Sequence, residues 1–156
     1  RSQAAAVAAM LDQQHQIRPI LLSSPLARAY ETAQALAALW QADITIENRV
    51  AEIPSPTPDL EARAAWLSQA MAGNWSDLDA SVQQWQQDIG AFLAGCEEDC
   101  IIFSHYVAIN AAVGAATGDD RMRIFGPDNC SVTTLDNAGG KLTVVELGRI
   151  ADTHIN

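Results

Sequence analysis

Short apolar runs alternate along the chain with longer segments in which apolar residues recur every three or four positions. The short runs are typical of buried strands, and the spacing of three or four is typical of helices with one buried face. The pattern predicts strands at 19–23, 44–46, 100–103, 131–136 and 141–147. It predicts helices at 2–14, 26–40, 59–73, 76–93 and 107–117.

This alternation of strands and helices predicts an α/β fold: a three-layer sandwich with a mostly parallel sheet flanked by helices. The last two strands are joined by the turn-forming run 137–140, which favours a hairpin. Ser76 and Asp79 have the spacing of a capping box for the fourth helix. A chain of 156 residues fits one domain, and we expect residues 1–156 to form it.

The end of the first predicted strand carries a candidate anion site. Ser24 is expected to cap the following helix and Pro25 to occupy its first position. Arg28 then lies about one turn into the helix, close to unpaired backbone N–H groups at the positive end of the helix dipole. A guanidinium in that place favours a phosphate or carboxylate, because its donors match two oxygens of the anion. The alternative is an ordinary arginine on the helix surface.

A second strand end repeats the arrangement. Residues 100–103 form a β-prone run, and His105 follows them just before the alanine-rich helix at 107–117. A lone histidine is more often a buried structural residue than a ligand. However, ligands of open parallel sheets bind beyond the carboxyl ends of the strands, where both Arg28 and His105 are predicted to lie. We therefore expect the two side chains to meet at one anion.

Composition narrows the classes of partner. The chain has 9 basic and 19 acidic residues, and its formal net charge is −10. This balance argues against nucleic-acid and membrane-surface binding, and it means that a phosphate must be held by local donors. No apolar run has the length of a membrane span. The three cysteines (Cys96, Cys100 and Cys130) match no metal pattern, so we expect free thiols, a cytoplasmic protein, no metal and no cofactor.

Two motifs resemble those of a known family. The first is Ser-Pro-x-x-Arg-Ala-x-x-Thr-Ala over residues 24–33, and the second is the Ser-His pair at 104–105. Together they resemble the histidine phosphatase superfamily, the phosphoglycerate mutase-like group. Weaker similarities lie at 1–4, 49–52, 129–133 and 152–155, so the resemblance covers nearly the whole chain.

The resemblance implies a two-step phosphoryl transfer. A histidine in an Arg-His-Gly triplet takes the phosphoryl group, and water then releases it. Arg28, His105 and Ser24 are the phosphate-binding residues by this resemblance, and Glu52 is the candidate acid that protonates the leaving oxygen. The 156 residues contain no Arg-His-Gly triplet. We therefore expect a first strand that carries it before Arg1 in the intact protein.

The sequence is compatible with three functions. The favoured one is a phosphomonoesterase that acts on a small phosphorylated substrate. Many relatives have small residues after the second histidine and an arginine further on, whereas this chain has Tyr106 and Asn110. Tyr106 is expected to line the substrate pocket, and the neutral Asn110 argues against a sugar-phosphate mutase. The alternatives are a mutase-type phosphotransferase and a non-catalytic phosphate-binding or scaffold relative; the substrate and the oligomeric state are left open.

Overall fold

The computed structural model describes residues 2–15 and 17–150. Its five helices are α1 (Ser2–Gln14), α2 (Ala27–Trp40), α3 (Leu60–Met71), α4 (Ala80–Ala94) and α5 (Tyr106–Thr117). Its five strands are β1 (Ile20–Ser23), β2 (Ile44–Ile46), β3 (Cys100–Phe103), β4 (Thr134–Asp136) and β5 (Thr143–Glu146). Every helix and strand predicted from the pattern is present, although several begin or end a few residues away from the predicted bounds.

The strands form two sheets. Three parallel strands lie in the order β2-β1-β3, with Leu21 opposite both Ile44 and Ile101. The predicted hairpin is confirmed, and β4 and β5 pair antiparallel as a separate two-stranded sheet. The fold is therefore α/β, with a parallel sheet flanked by helices as predicted.

Two apolar clusters hold the helices in place. In the first, α1 and α2 pack on β1 and β3, and the buried face of α2 presents Ala29, Ala33, Leu36 and Trp40 at spacings of four, three and four. The second cluster joins α3, α4 and α5 around the fully buried Trp75 and Ile89. Because β1 and β3 are adjacent and parallel, α2 and α5 both begin at the same edge of the sheet.

Two predictions about helix starts are wrong. The N-cap of α2 is Leu26, so neither Ser24 as cap nor Pro25 as first helical residue is correct, and Arg28 is the second residue of the helix. The reason is that Ser24 still belongs to the sheet: its N–H donates to the Phe103 carbonyl at 2.9 Å and extends the pairing of β1 with β3. Helix α2 therefore begins later than the sequence indicates.

The capping box predicted at Ser76 and Asp79 is also wrong. Asp79 is the N-cap of α4 through its backbone and makes no side-chain cap bond. Ser76 lies instead in a short 3₁₀ turn (Trp75–Asp77), where its hydroxyl donates to the carboxylate of Asp120. A partner 44 residues away takes the hydroxyl that a local capping box would have used.

Candidate active site

The side chain of His105 is fixed at the carboxyl end of β3. His105 is the N-cap of α5 and only 9 % exposed. Its Nε2 lies 2.8 Å from Oγ of the fully buried Ser24, and the direction of that hydrogen bond follows the tautomer of the ring. The Ser24 hydroxyl also accepts a hydrogen bond from the Leu26 N–H at 3.2 Å. The ends of β1 and β3 thus hold this histidine in one orientation.

Arg28 and Glu52 both act electrostatically on His105. Burial is the main cause that lowers the pKa of His105 below its ordinary value of 6.5; the positive charge of Arg28 also lowers it, while the negative charge of Glu52 opposes the shift. Arg28 is exposed in the first turn of α2, so its guanidinium is accessible to a ligand. The charges of Arg28 and Glu52 therefore both reach His105, which hydrogen-bonds to Ser24.

The loop that carries Glu52 is anchored on both sides. Before it, the Ser104 hydroxyl donates to the Val50 carbonyl at 2.5 Å, which joins the end of β3 to a 3₁₀ turn (Asn48–Val50). After it, Ile53 is only 2 % exposed. The Glu52 carboxylate is one-third exposed, and its Oε1 lies 3.8 Å from Nη2 of Arg63 on α3. Glu52 is thus presented at the surface by a loop that the core holds.

Tyr106 is the first residue of α5 and is half-buried against the second apolar cluster. Its hydroxyl lies beside Gly126, where an added Cβ would approach it to 3.2 Å. Asn110, one turn further on, is fully buried and uses its whole amide group: Oδ1 accepts from Ile124 and Phe125 N–H, and Nδ2 donates to the Tyr106 and Phe125 carbonyls. Asn110 therefore holds the segment that packs on Tyr106.

Sequence reasoning missed the positioning roles of Ser104, Arg63 and Asn110. Each of these residues acts on a residue distant in sequence, so no local sequence pattern predicts its role. Asn110 left one signal, an isolated polar residue in the alanine-rich run 107–117, and Ser104 left another by following a buried strand directly.

His15, the other histidine in the part of the chain that the structure describes, lies away from the site. His15 packs edge-on against Trp40, the last residue of α2, with the ring centroids 6.4 Å apart. A helix of 14 residues is about 20 Å long, and Arg28 lies at its other end. His154 lies outside the described residues. Among residues 2–15 and 17–150, no cluster of three or more His, Cys, Asp or Glu side chains could hold a metal ion. No helix in the same ranges is both long and apolar enough to cross a membrane.

The family of the chain follows from its sequence as a whole. The model of the histidine phosphatase superfamily (branch 1) matches residues 1–150. The chain belongs to this superfamily. The superfamily predicted from the two short motifs is thereby confirmed.

Solved structures of similar fold include several phosphatases. The α-ribazole phosphatase from Shigella flexneri has a TM-score of 0.69 and 20 % identity, over 95 % of this chain and 81 % of that one. A phosphoserine phosphatase from Entamoeba histolytica in complex with 3-phosphoglyceric acid has a TM-score of 0.70 and 18 % identity, over 99 % of this chain and 83 % of that one. A mycobacterial glucosyl-3-phosphoglycerate phosphatase in complex with VO3 has a TM-score of 0.67 and 19 % identity, over 93 % of this chain and 82 % of that one. A comparison with curated proteins gives no match. At these identities the similarity establishes the phosphoglycerate mutase-like fold.

The lowered pKa of His105 predicts how stability depends on pH. The unfolded chain, with its higher histidine pKa, binds more protons than the folded protein between the folded pKa and about 6.5. The free energy of unfolding should therefore rise with pH through that window and level off above about 6.5. In the opposite direction, this stability is lost as the pH falls from about 6.5 through the folded pKa. Urea denaturation at closely spaced pH values measures this slope.

His105→Gln should remove this contribution to the slope, and His15→Gln is the matched control that should keep it. A slope that is the same in the His105→Gln variant as in the wild type would contradict the assignment to His105.

Proposed function

We propose that this protein is a phosphomonoesterase that hydrolyses a small phosphorylated substrate through a phosphohistidine intermediate. Membership of the histidine phosphatase superfamily supports the reaction class. The observation that carries the proposal is the hydrogen bond between His105 and Ser24 where two parallel strands end, with Arg28 in the first turn of the helix that follows one of them. Backbone N–H groups at the starts of α2 and α5 add to these donors and favour an anion.

Each residue has a role that follows from its chemistry. Arg28 offers a planar fork to two phosphate oxygens, and its charge offsets the negative charge that develops during transfer. His105 donates a hydrogen bond to the same phosphoryl group, and the buried Ser24 hydroxyl holds the ring of that histidine in place. Protonation of His105 becomes easier beside a bound dianion, since the anion opposes the effects of burial and Arg28.

The remaining steps need a nucleophile, an acid and a substrate pocket. We propose that a histidine in an Arg-His-Gly segment before Arg1 takes the phosphoryl group, so that one difficult step becomes two easier ones. Glu52 protonates the leaving alkoxide, and Tyr106 lines the pocket on the side of α5. No residue in this scheme requires a metal, and we expect the protein to act in the cytoplasm.

The contacts of Asn110 favour the phosphatase over the mutase alternative. Its side-chain amide is consumed by four backbone groups in the core, so it offers no donor to a second phosphate group. A site that retains a phosphorylated intermediate for transfer to a second substrate would benefit from further positive charge at this place. The phosphatase reaction needs only one phosphate and water.

The proposed function predicts activity from the intact protein. Reading the open reading frame should reveal Arg-His-Gly within about forty residues before Arg1, the reach of one strand and its connections. The intact protein should hydrolyse 4-nitrophenyl phosphate in the presence of EDTA, and rapid quenching should trap an acid-labile phosphate on the upstream histidine. A crystal structure with vanadate should place Arg28 and His105 within hydrogen-bond distance of the same anion.

Three results would contradict this function. A start codon at or just before the position of Arg1 would favour the non-catalytic alternative. Activity abolished by EDTA would remove the metal-free scheme, and phosphate trapped on His15 or His154 would move the chemistry elsewhere. The 156-residue chain alone should be inactive, because it lacks the nucleophile.

A further inference from the structure

Cys96 and Cys100 lie on the two sides of a short connection between α4 and β3. Cys96 comes two residues after the last residue of α4, and Cys100 is the first residue of β3. Both are free thiols and half-buried, whereas the acidic residues between them, 97–99, are exposed. Both cysteines line one cavity beside β3. They are therefore neighbours in space as well as in sequence.

Hydrogen bonds hold the backbone at both ends of this connection. Asn137, which follows β4, donates through Nδ2 to the Cys96 carbonyl at 2.8 Å and so fixes the chain just after α4. At the other end, Cys100 lies opposite Ile20 of β1, and the Asp99 carbonyl accepts from the Ile20 N–H at 3.2 Å. The two fixed ends leave the connecting residues little freedom to separate the thiols.

The two thiols interact with each other. The Cys96 thiol donates a hydrogen bond to the Phe92 carbonyl at 3.3 Å, so its sulfur still has lone pairs that can accept. Burial is the main cause that raises the pKa of Cys100 to about 12, and the charge of Cys96 and a hydrogen bond with its sulfur are further causes. Cys100 therefore keeps its proton at neutral pH.

Cys96 has a cation as a neighbour. The guanidinium carbon of Arg49 lies 4.3 Å from the centroid of the Phe92 ring, in the same turn of chain that accepts the Cys96 thiol. The hydrogen bond to Glu47 is the main cause that raises the pKa of Arg49, and negative charge on the Cys96 sulfur is a further cause. This attraction is mutual, so the guanidinium favours the thiolate of Cys96, the form that attacks oxidants.

We propose that Cys96 and Cys100 form a reversible disulfide when the protein meets a peroxide. The Cys96 thiolate attacks one peroxide oxygen and becomes a sulfenic acid, while the other oxygen leaves as hydroxide. The Cys100 sulfur then attacks the sulfenic sulfur, and the oxygen leaves with the Cys100 proton as water. Two electrons pass from the sulfurs to the peroxide, and a dithiol returns them by thiol–disulfide exchange.

This site is separate from the proposed phosphatase chemistry. Cys100 begins β3 and His105 follows its end, so five residues of extended chain, roughly 16 Å, separate them. The sulfur chemistry needs neither the phosphate site nor an upstream histidine. Disulfide formation can therefore be measured whether or not the protein hydrolyses phosphates.

Peptide mapping of the intact protein before and after hydrogen peroxide tests the disulfide. A protease that cleaves after glutamate cuts the connection at 97 and 98, so the peptides that carry Cys96 and Cys100 should stay joined until a dithiol reduces them. Cys130 packs on the first apolar cluster, so Cys130→Ala is the matched control and should form the same link. Joined peptides that contain Cys130, or thiols of Cys96 and Cys100 that stay free after peroxide, would overturn the proposal.

Two further variants test the roles of the two sulfurs. In Cys100→Ser the sulfenic acid on Cys96 has no thiol partner, so dimedone should trap it there. In Cys96→Ser the remaining Cys100 should react with peroxide at least about tenfold more slowly than Cys96 does in Cys100→Ser, because little of it is thiolate. Equal rates in the two variants, or faster reaction of Cys100, would overturn the assignment of Cys96 as the attacking thiol.

Discussion

Arg28→Ala in the intact protein should lower kcat/KM for a phosphomonoester by roughly a hundredfold or more. This corresponds to about 3 kcal/mol of transition-state stabilisation, the loss expected when one strong donor to a developing anionic charge is removed. Arg28 is exposed in the first turn of α2, so its removal leaves the packing of Ala29 and Ala33 intact. The free energy of unfolding should therefore change little, and steady-state kinetics together with urea denaturation measure both quantities.

Arg121→Ala provides a matched control for the loss of one positive charge. Its guanidinium pairs with Asp119 at 2.7 Å, and its side chain is 62 % exposed. Surface pairs of this kind contribute little, so kcat/KM should stay near that of the wild type. Similar losses in both variants would mean that Arg28 acts only through the overall charge, and that it does not touch the phosphate.

Much of the site could be predicted from sequence because its residues follow strands directly. One rule predicts the positions of Arg28 and His105, namely that ligands of parallel sheets bind beyond the carboxyl ends of strands, and β1 and β3 are adjacent in the structure. The register of that pair then decides which residues meet. The hydrogen bond between Ser24 and His105 spans 81 positions and follows from that register. The sequence predicts the two strand ends separately, and only the fold joins them.

The two wrong predictions of helix caps have a common physical origin. Local rules assigned Ser24 and Ser76 to helix caps, yet both hydroxyls bond to distant partners, His105 and Asp120. A serine near a helix start satisfies its hydrogen bonds wherever the fold offers the better partner, and tertiary structure is invisible to a four-residue pattern. The same limit hid Ser104 and Asn110, which fix the loops around Glu52 and Tyr106.

In the proposed mechanism, stabilisation of the phosphate charge and proton transfer to the leaving group belong to different structural elements. Arg28 and His105 are held by the sheet and the helix starts, whereas Glu52 belongs to a loop anchored by Val50 and Ile53. Rigid elements would then hold the phosphoryl group, and the loop would meet the leaving group. Variation in that loop would change which leaving groups are accepted without disturbing the phosphate site.

Glu52→Gln should therefore harm alkyl phosphates far more than aryl phosphates. An alkoxide is a poor leaving group that needs a proton as its bond to phosphorus breaks, whereas a nitrophenolate leaves without one. General acid catalysis contributes about 10²–10⁴-fold, so kcat for an alkyl phosphate should fall within that range while kcat for 4-nitrophenyl phosphate should change by only a few fold. Glu47→Gln is the matched control: its carboxylate lies in the same part of the chain but bonds to Arg49 at 2.6 Å. That variant should treat both substrates alike and keep near wild-type rates. Equal losses on the two substrates in Glu52→Gln would remove Glu52 from proton transfer and leave its loop with a structural role only.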